Sequence, residues 1–480
     1  MYRQCERAEP SRTLPDEHKR LPPGPKKLPI IGNLHQLGHP IHQSLQRLSD
    51  KHGPLMFLQL GSVPTLVISS AAMAKEVMNT HDLTFASLPA LYASNKFTYN
   101  GKNISFAFAP YGKYWREVRK IALTELLSAR RVRSFESIRK EEVAYILKIV
   151  ADSTAESSPI NLTRLMFMGV NNIVLRAMFN KKESYREKGK SSISEFSETI
   201  DEIMMLLGVG NIADSFSWMK WYNKFNGFDK RFAKYFRALD SFYDMVIQEH
   251  RMQSGGSEHE DLVDVLLRIQ SDPNQEIRLT DENIKGVLTD MFVAGTDTSS
   301  TTLVWIMAEL MKNQSAMRKA QEEVRGVVKE KGFLQTIVKE VLRLHPPAPL
   351  LIPRETTERC RIAGYDIPAK MRVFINAASI AMDSEYWENP EELKPERFLN
   401  TDIDFRGQHF ELLPFGAGRR GCPGISFAVV ILELVLANLL HSFDWNLPDG
   451  ARAEDINMEE SFGLVVRKKI PLYLVASMPS

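Results

Sequence analysis

The segment around Cys422 constrains the fold and chemistry of this 480-residue chain more than any other feature. Residues 415–424 read Phe-Gly-Ala-Gly-Arg-Arg-Gly-Cys-Pro-Gly, and an apolar run from Ile425 to Leu440 follows them with the composition of a helix. Pro423 suits the first turn of that helix, so Cys422 is predicted at its N-terminus, where unpaired N–H groups and the helix dipole favour a thiolate. The glycines permit a flat cofactor to approach the backbone. The segment predicts a metal-binding thiolate, although a lone cysteine is more often a buried structural residue.

The same ten residues also match a known pattern. At every fixed position they fit Phe-x-x-Gly-x-Arg-x-Cys-x-Gly, and the segment resembles the haem-binding loop of the cytochrome P-450 monooxygenases. The resemblance implies heme b as the cofactor, with its iron ligated axially by Cys422 and with Phe415 and Gly424 beside it. A thiolate ligand pushes electron density onto haem iron and favours O–O cleavage, which is the chemistry of oxygen insertion.

A dinucleotide-binding loop is the alternative that these residues allow. Gly416, Gly418 and Gly421 have the spacing of the Gly-x-Gly-x-x-Gly fingerprint, with an apolar stretch before them and a helix after them. Such a site also needs an acidic residue about 20 positions further on, at the end of a second strand. Glu433 lies inside the predicted helix instead, so the haem interpretation is favoured.

Small and polar residues interrupt the apolar helical pattern that runs from Ile284 to Met311. The interruption, residues 294–298, reads Ala-Gly-Thr-Asp-Thr. Glycine and threonine lower helix propensity, but glycine lets a ligand lie against the backbone and a threonine hydroxyl can bond to the carbonyl one turn earlier. In the resembled family this is the oxygen groove, where Thr298 would orient protons toward dioxygen and Asp297 would relay them from solvent. The alternative is a Ser/Thr-rich helix face that packs on a neighbouring helix.

The resemblance assigns two further sets of residues, one to the haem propionates and one to the loop behind the haem. Arginine suits the first role because its planar fork meets a carboxylate in two places. The expected propionate contacts are Trp115, Arg119, Arg354 and Arg420. Glu340 and Arg343, spaced i and i+3 on a predicted helix, would form a buried structural triad with Arg397. Outside this setting such a pair is usually a surface salt bridge of little consequence.

The expected fold class is mainly α with small β-sheets (α+β). The resemblance implies the cytochrome P-450 fold, with haem between a long distal helix and the proximal cysteine loop. Apolar periodicity predicts helices through most of residues 111–344, including Arg139–Ala151, Phe232–Arg251 and Ile284–Met311. The predicted strands are Leu55–Leu60, Leu66–Ser69, Val373–Asn376 and Leu464–Val475. No linker or repeat divides the chain, so residues 21–480 are expected to form a single domain.

Charge, cysteine usage and hydropathy exclude several classes of protein. A net charge of +2, without a basic tract interleaved with aromatic residues, gives no indication of nucleic-acid binding. Three widely spaced cysteines, Cys5, Cys360 and Cys422, argue against a disulfide framework and for a reducing compartment. No stretch of about 18 apolar residues is recognised, so no transmembrane helix is expected.

A proline hinge, Leu-Pro-Pro-Gly-Pro at residues 21–25, follows a polar N-terminal segment at residues 1–20. In the resembled family such a hinge follows a membrane anchor, and the flanking Lys19, Arg20, Lys26 and Lys27 suit an anionic cytoplasmic membrane surface. The expectation is a chain that lacks the anchor helix of a parent protein on the cytosolic face of the endoplasmic reticulum membrane.

Residues 28–35, 106–112 and 462–467 look like the plant microsomal group that tailors terpenoids, alkaloids and phenylpropanoids in secondary metabolism. The implied activity is hydroxylation or epoxidation of a small hydrophobic molecule with O2. Candidate pocket positions are residues 97–108, 204–209 and 348–351, together with Val293, Ala294 and Phe462. They are largely apolar, which fits a ligand oriented by shape.

The electrons must come from another protein, because no flavin- or NADPH-binding region is visible. The resemblance implies an NADPH-cytochrome reductase. A basic docking patch on the cysteine side would comprise Lys113, Arg116, Lys120, Arg130, Arg131, Arg406 and Arg419. An ordinary solvated surface is the alternative interpretation of these residues.

The chain departs from its relatives where Lys331 and Gly332 run straight into Phe333, since the family has a longer connector there. The shorter connector could loosen the helix that carries Glu340. Two further functions therefore stay open beside the monooxygenase. One is a haem-thiolate isomerase or dehydratase that does not activate O2, and the other is an inactive truncated family member.

Overall fold

Helices form most of the chain in the computed structural model, which describes residues 21–99, 105–156, 158–179, 199, 202–208, 210–252, 260–327, 332–461 and 463–479. The polar segment 1–20, with Cys5, lies outside the described residues. The α-helices are α1 (Ile41–His52), α2 (Ala71–Lys75), α3 (Tyr92–Phe97), α4 (Lys113–Ile121), α5 (Ala129–Ser134), α6 (Glu136–Thr154), α7 (Leu162–Phe179), α8 (Tyr222–Phe225), α9 (Phe228–Met252), α10 (Leu262–Ser271), α11 (Asp281–Lys312), α12 (Gln314–Val324), α13 (Phe333–Leu344), α14 (Ala377–Ala381) and α15 (Ile425–Ser442).

Short strands pair into small sheets beside the helices. They are β1 (Leu55–Leu60), β2 (Val63–Ile68), β3 (Ile160–Asn161), β4 (Arg354–Glu355), β5 (Cys360–Ile362), β6 (Tyr365–Ile367), β7 (Arg372–Ile375), β8 (Asp444–Asn446) and β9 (Tyr473–Ser477). The largest sheet has the order β1-β2-β7-β4, with β1 and β2 as an antiparallel hairpin and β7 parallel to β2. The other sheets are β3-β9-β8 and β5-β6. The expected class, mainly α with small β-sheets, is confirmed.

The 32-residue helix α11 runs through the core. It starts at a capping box in which Thr280 Oγ1 accepts the Asn283 N–H at 3.2 Å and Asn283 Oδ1 accepts the Thr280 N–H at 2.8 Å. Leu303, Trp305 and Leu310 are buried on it, and the helix packs against α7, α13 and α15. Because α15 directly follows the predicted cysteine loop in the chain, its contacts with α11 bring that loop near the Thr-bearing segment.

The last predicted strand is mostly wrong. The sequence suggested a strand over Leu464–Val475, but the structure has only β9, Tyr473–Ser477, and an isolated bridge between Glu460 and Lys468. The apolar residues before β9 pack inward instead of pairing, as when Val466 donates its N–H to the Pro347 carbonyl at 2.9 Å. Burial of a loop gives the same alternation of apolar letters as a half-buried strand.

The prediction that no helix could span a membrane is also wrong for the described residues. By length and composition, helix α15 is long and apolar enough to cross a membrane, because Glu433 and a few other polar residues are the exceptions in a mostly apolar sequence. Ile431, Leu436 and Leu439 are buried in the hydrophobic core, however. Core helices of many proteins pass the same test, so α15 is weak evidence for a membrane span.

Candidate active site

The cysteine loop, residues 415–424, folds back on itself just before α15. The Cys422 N–H donates to the Phe415 carbonyl at 2.9 Å. Gly416 and Gly418 have φ angles of 65° and 67°, in the left-handed region that glycine adopts without strain. A Cβ at Gly418 would also lie 2.2 Å from the carbonyl oxygen of Met78. The glycines are therefore required by the shape of the loop.

The sulfur of Cys422 opens into an internal cavity and accepts a hydrogen bond from the Gly424 N–H at 3.3 Å. Enclosure by protein raises the pKa of the Cys422 thiol, while the Gly424 N–H and the positive charge of Arg119 act in the opposite direction. Burial thus outweighs the helix-terminus effect that the sequence suggested would favour the thiolate. A bound metal cation would reverse this balance, because a coordinating thiol is deprotonated outright.

The cavity has an empty volume of about 1670 Å³, a figure that includes open solvent at its mouth. Phe415, Cys422 and Gly424 line it from the cysteine loop, and the groove residues Ala294, Gly295 and Thr298 line it from α11. Because Ala294 and Gly295 have almost no side chain, the backbone of α11 is accessible to a flat or small ligand. Apolar side chains form much of the remaining wall, among them Leu88, Phe106, Val174, Leu342, Leu351 and Phe427.

Some of the predicted pocket positions line the cavity, and others do not. Phe106, Ala107, Ala348 and Leu351 line the cavity beside Ala294. Val293 is instead buried in the hydrophobic core and does not line it. Phe462, Val209 and residues 100–104 lie outside the described part of the chain.

The groove in α11 has the local geometry that its sequence suggested. The Thr298 hydroxyl donates to the Ala294 carbonyl at 2.7 Å, and the Thr302 hydroxyl donates to the Thr298 carbonyl at 2.9 Å. Thr298 lines the cavity, whereas its neighbour Asp297 does not. Asp297 is buried, and its Oδ1 accepts a hydrogen bond from Nε of Arg467 at 2.7 Å.

Three arginines, Arg119, Arg354 and Arg420, gather in the cavity wall. Each guanidinium donates to a backbone carbonyl: Arg119 Nη2 to Gly421 at 2.5 Å, Arg354 Nη2 to Ala417 at 3.1 Å, and Arg420 Nε to Ala86 at 2.7 Å. Burial lowers the pKa of Arg354 to about 10. Burial and repulsion by Arg354 and Arg119 lower the pKa of Arg420 to about 9. This wall is therefore strongly positive and poorly hydrated.

The donors of these arginines are not all used. Within the described part of the chain, Nη1 of Arg354 and Nη1 of Arg420 are buried without a hydrogen-bond partner. A buried charge with unmet donors is costly unless a negative group meets it. Two carboxylates on a ligand in the cavity would satisfy both atoms, which is what the propionates of haem offer.

Trp115, which was expected near the propionates, lies beside two of these arginines. Its indole Nε1 donates to the Phe106 carbonyl at 2.9 Å, so this N–H is engaged by the protein itself. The ring lies under two guanidinium groups, with the carbon of Arg420 at 4.3 Å and that of Arg119 at 5.4 Å from its centroid. Trp115 therefore orients the arginines by cation–π contact.

Glu340, Arg343 and Arg397 form one buried ion-paired group. Arg343 makes a two-pronged contact with Glu340, at 2.8 Å to Oε2 and 2.9 Å to Oε1, and Nε of Arg397 reaches Oε1 at 2.9 Å. Arg343 also donates to the carbonyls of Ala381 and Pro390. The group ties α13 to the segment that leads into the cysteine loop.

The shortened connector does not separate Glu340 from its partners. Gly332 has a φ angle of 108°, and α13 begins directly after it. The Gly332 and Leu334 N–H groups both donate to the carboxylate of Glu323 at the end of α12, the latter at 2.7 Å. These bonds cap α13 across the connector.

Sequence reasoning missed two charged residues near the cavity. Asp290 lines the cavity and accepts hydrogen bonds from Ser105 Oγ at 2.6 Å and the Ala107 N–H at 3.1 Å. Arg467 had appeared only as the end of a family-like segment, although it pairs with Asp297. An acid among the apolar residues Val287, Leu288, Phe292 and Val293 was the available signal for Asp290, since a buried acid needs a partner.

The predicted docking patch is partly neutralised by acids. Arg131 pairs with Glu260 at 2.9 Å, and Arg419 pairs with Asp82 at 2.9 Å. Helix α4 presents Lys113, Arg116 and Lys120 as exposed side chains, of which Lys120 lies 3.7 Å from the carboxylate of Glu117. Lys113, Arg116 and Arg130 are the exposed cations of the patch for which the structure gives no ion pair among the described residues.

A second group of potential metal ligands has a structural explanation. His250, Asp261 and Asp264 lie close enough together to hold an ion. Nε2 of His250 meets Asp261 at 2.8 Å, and its Nδ1 meets the Val246 carbonyl at 2.8 Å. Asp261 and Asp264 form the capping box of α10. These contacts join α9 to α10 and are separate from the cavity.

Comparison with known proteins agrees with this site. The cytochrome P450 family model matches residues 22–475. Cytochrome P450 71A9 of Glycine max is 54% identical over 477 residues, which cover 96% of this chain and 94% of that protein. Strychnine-11-hydroxylase of Strychnos nux-vomica is 55% identical over 471 residues, covering 96% and 92%. A solved zebrafish cytochrome P450 with progesterone has a TM-score of 0.77 at 24% identity, covering 92% of this chain and 100% of that chain.

The family match and the site lead to one identification. The structural likeness supports the fold, and the relatives near 55% identity are plant proteins. The cavity, the cysteine and the unsatisfied arginine donors fit haem held by a cysteine thiolate, which is the cofactor of this family. The predicted family, cofactor and enzyme class are confirmed. The chain belongs to the cytochrome P450 family and is a haem-thiolate monooxygenase similar to its plant members.

Proposed function

We propose that this monooxygenase hydroxylates or epoxidises a small hydrophobic plant-type secondary metabolite with electrons from an NADPH-cytochrome reductase. One observation carries the proposal: a single, largely apolar cavity is lined by both the Cys422 thiol and the groove at Thr298. In the balanced reaction, substrate, O2, NADPH and one proton give the oxygenated substrate, water and NADP+. The protein must bind the substrate, anchor the cofactor and supply protons.

Cofactor anchoring falls to the cysteine loop and the three arginines. Cys422 would ligate the iron, with the Gly424 N–H stabilising the negative sulfur. Arg119, Arg354 and Arg420 would hold the propionates. Haem, when bound, supplies the redox chemistry that splits O2. The triad of Glu340, Arg343 and Arg397 would keep the loop in position.

Proton supply falls to the groove in α11. The Thr298 hydroxyl lines the cavity, and Asp297 is its neighbour in the chain. We assign to Thr298 the orientation of protons toward dioxygen and to Asp297 their relay. These two side chains favour oxygen insertion over an isomerase or dehydratase, because rearrangement of a bound substrate needs no proton supply to O2.

The lining of the cavity supports a hydrophobic substrate. Leu88, Phe106, Val174 and Leu351 offer no hydrogen-bonding side chains, so shape would orient the ligand. One relative is named for the hydroxylation of strychnine. Terpenoids and alkaloids of plants are therefore the first compounds to screen for substrate-induced shifts in the haem spectrum.

The chain is proposed to lie on a membrane, at the cytosolic face of the endoplasmic reticulum. Ile30 is 80% and Phe225 78% exposed, and Trp218 and Trp221 are exposed beside Phe225. We call these four residues the membrane face. The chain next to Ile30 and the chain that leads to Trp218 both hydrogen-bond to the turn between β1 and β2. The Gly61 N–H donates to the Ile31 carbonyl, and the Ser62 N–H donates to the Ser215 carbonyl. Exposed aromatic residues near lysines suit a lipid headgroup layer.

Residues 21–480 are proposed to act as one domain. The main hydrophobic core joins residues from Phe97 to Ala476, and it includes side chains of α11, α13 and α15. A domain boundary is expected where few contacts cross. If residues 21–480 form one domain, the protein should unfold in a single cooperative transition.

The carbon monoxide difference spectrum of the reduced protein tests the proposed site. A cysteine thiolate opposite carbon monoxide gives a strongly red-shifted Soret band, so the wild-type chain should show that band. Cys422→Ser should abolish it. Cys360→Ser, which changes the half-buried cysteine of β5, is the matched control and should leave it intact.

Three results would contradict the proposal. Retention of the red-shifted band in Cys422→Ser would show that another residue ligates the iron. Absence of the band from the wild type after haem reconstitution would favour the inactive truncated protein. A normal band with rearrangement of an oxygenated substrate and no O2 consumption would favour the isomerase.

A further inference from the structure

One stretch of chain contacts the cysteine loop from outside the cavity. It comprises residues 78–87, which we call the anchor segment. Gly418 packs on the Met78 carbonyl so closely that a Cβ there would lie 2.2 Å from the carbonyl oxygen. Nε of Arg420 donates to the Ala86 carbonyl at 2.7 Å. The loop is therefore fixed to the anchor segment at two points that lie two residues apart.

The residue between those two points, Arg419, is bound to Asp82 through both its backbone and its side chain. Oδ1 of Asp82 accepts the Arg419 N–H at 3.3 Å, and Oδ2 lies 2.9 Å from Arg419 Nε. The Asp82 side chain is 17% exposed, whereas that of Arg419 is 46% exposed. The two oxygens of one carboxylate thus hold the main chain and the side chain of the loop three residues before Cys422.

The anchor segment is itself held in place. Phe85 is fully buried in a hydrophobic cluster. The Glu355 N–H donates to the Ser87 carbonyl at 2.8 Å, and the Thr357 N–H donates to the Thr84 carbonyl at 2.9 Å. These contacts join the anchor segment to β4 and the chain after it. The carboxylate that this segment carries therefore has a fixed support.

The cysteine loop is held from the cavity side as well. Arg119 and Arg354 line the cavity and donate to the loop carbonyls of Gly421 and Ala417, whereas Asp82 does not line the cavity. Burial lowers the pKa of Arg354 to about 10, and the negative charge of Asp82 acts in the opposite direction. Asp82 therefore offsets part of the positive charge of the cavity wall while it binds the loop.

We propose that Asp82 is a positioning residue for the sulfur of Cys422. Its carboxylate holds the main chain at Arg419 from outside the cavity, so the loop keeps the shape that presents the sulfur to the iron. The inference rests on the ligation of iron by Cys422 proposed above. Neither Asp82 nor Arg419 lines the cavity, so the effect passes through the backbone of the loop. The alternative is an ordinary surface ion pair of little consequence.

The persistence of the red-shifted carbon monoxide band provides the first test. The haem-loaded protein is reduced chemically and saturated with carbon monoxide, and the band lasts as long as the sulfur stays on the iron. Its rate of loss at a fixed, raised temperature measures how well the loop is held. Asp82→Ala should accelerate this loss about fivefold or more, because it removes a hydrogen bond to the main chain together with the ion pair. A rate equal to that of the wild type would refute the proposal.

Arg419→Ala separates main-chain positioning from simple ion pairing. It removes the Nε contact but keeps the backbone N–H, so the rate should rise only about twofold. Asp82→Asn keeps one oxygen but turns an NH2 group toward a donor of Arg419, so its rate should lie between those of the two alanine variants. If Asp82→Ala does not take up haem, the comparison of Asp82→Asn with Arg419→Ala decides. Equal acceleration by changes at the two residues would overturn the proposal.

Asp404→Ala is the matched control. Oδ1 of Asp404 accepts the Arg406 N–H at 3.1 Å, and Oδ2 lies 3.5 Å from Arg406 Nε. The same two groups of an arginine are therefore bound, but outside the cysteine loop. The rate of band loss in this variant should equal that of the wild type. An acceleration as large as that in Asp82→Ala would refute a particular role for Asp82.

Hydrogen exchange of the haem-loaded protein gives a second readout that does not use the carbon monoxide band. The peptide that covers residues 415–424 includes the Cys422 N–H, which donates to the Phe415 carbonyl. Its exchange should be faster in Asp82→Ala than in the wild type, while circular dichroism shows the same helical content. Unchanged exchange in this peptide would mean that Asp82 does not hold the loop.

Failure of the proposed ligation would give a different result. If the wild type shows no red-shifted band, or if Cys422→Ser retains it, the assignment of the ligand fails before any rates are compared. If the wild type shows the band and the Asp82 variants lose it at the wild-type rate, the ligation stands and the role of Asp82 is refuted.

Discussion

Buried charges occur at several of the residues proposed to act at the site. A core without a ligand gains stability when apolar residues replace buried ions. Arg354 and Arg420 are nevertheless buried or half-buried in the cavity wall, with pKa values lowered to about 10 and about 9. Asp290 and Asp297 are buried on the same helix. Asp290 has a partner in Ser105 and Asp297 has one in Arg467, while the arginines face a cavity where a ligand's carboxylates could meet them.

Resemblance to a family predicted the arginines, but no local pattern could predict the partners of the two acids. Asp297 meets Arg467, 170 positions away, and Asp290 meets Ser105, 185 positions away. Sequence periodicity identifies the face of a helix on which a residue lies. It does not identify which distant loop will cover that face.

Asp290 should make the stability of the wild type depend on pH. Burial raises its pKa to about 7, although its hydrogen bonds from Ser105 and Ala107 act in the opposite direction. The folded state keeps the proton that the unfolded state loses near pH 4, so this residue stabilises the fold at low pH. That stabilisation is lost as pH rises from about 4 to about 7, by roughly 4 kcal/mol at most.

Replacing Asp290 by asparagine removes this titration. The free energy of unfolding of Asp290→Asn should therefore rise relative to wild type as pH increases between about 4 and about 7. Denaturant unfolding followed by circular dichroism at several pH values measures the difference. Asp402→Asn, in an exposed loop, is the control. Parallel pH profiles for Asp290→Asn and wild type would refute the buried, protonated carboxyl.

Secondary-structure elements with a strong period were predicted well. The predicted helix Ile284–Met311 corresponds to α11, Asp281–Lys312, and the predicted strand Leu55–Leu60 has the same bounds as β1. The region after residue 462 was predicted poorly because it is a buried loop, in which tertiary contacts replace a regular hydrogen-bond ladder. Capping contacts such as those of Glu323 with Gly332 were also beyond prediction, since they depend on where two helices meet.

Helix α4 is the element proposed to dock the reductase. Its exposed cations lie on the helix whose buried Trp115 supports the cavity arginines. Charge reversal at Arg116 and Lys120 should slow reduction at low ionic strength and weaken the dependence of the rate on salt. Stopped-flow reduction by the reductase measures both effects. Lys148→Glu, an exposed reversal on α6, is the control, and unchanged rates at low salt in the α4 variant would exclude docking there.

At the scale of the whole molecule, the family match over residues 22–475 and the helical fold were predictable from motif order. The proposed orientation on a membrane was not, because the membrane face joins residues near position 30 with residues near position 220. The two segments are brought together by the turn between β1 and β2. The sequence does not show that these two segments, with their exposed apolar side chains, both contact the same turn; the folded structure does.

The membrane face should determine binding to lipid. Trp221→Ser with Phe225→Ser should weaken binding to vesicles of phosphatidylcholine and phosphatidylserine about tenfold or more, because each exposed ring buries apolar area worth roughly 1.5–3 kcal/mol in the bilayer. Sedimentation with vesicles measures the bound fraction. Val327→Ser alters another exposed apolar residue, beyond α12, and should have no effect. Equal losses in both variants would contradict the proposed orientation.

The crowding of Arg119, Arg354 and Arg420 has a consequence for biosynthesis. Until two carboxylates arrive, the nascent chain must close its core around mutually repelling cations, so acquisition of the porphyrin and completion of folding are thermodynamically linked. A cell short of haem would accumulate a looser polypeptide that proteases can reach. The abundance of this enzyme in the cell should then follow the haem supply as well as transcription of its gene.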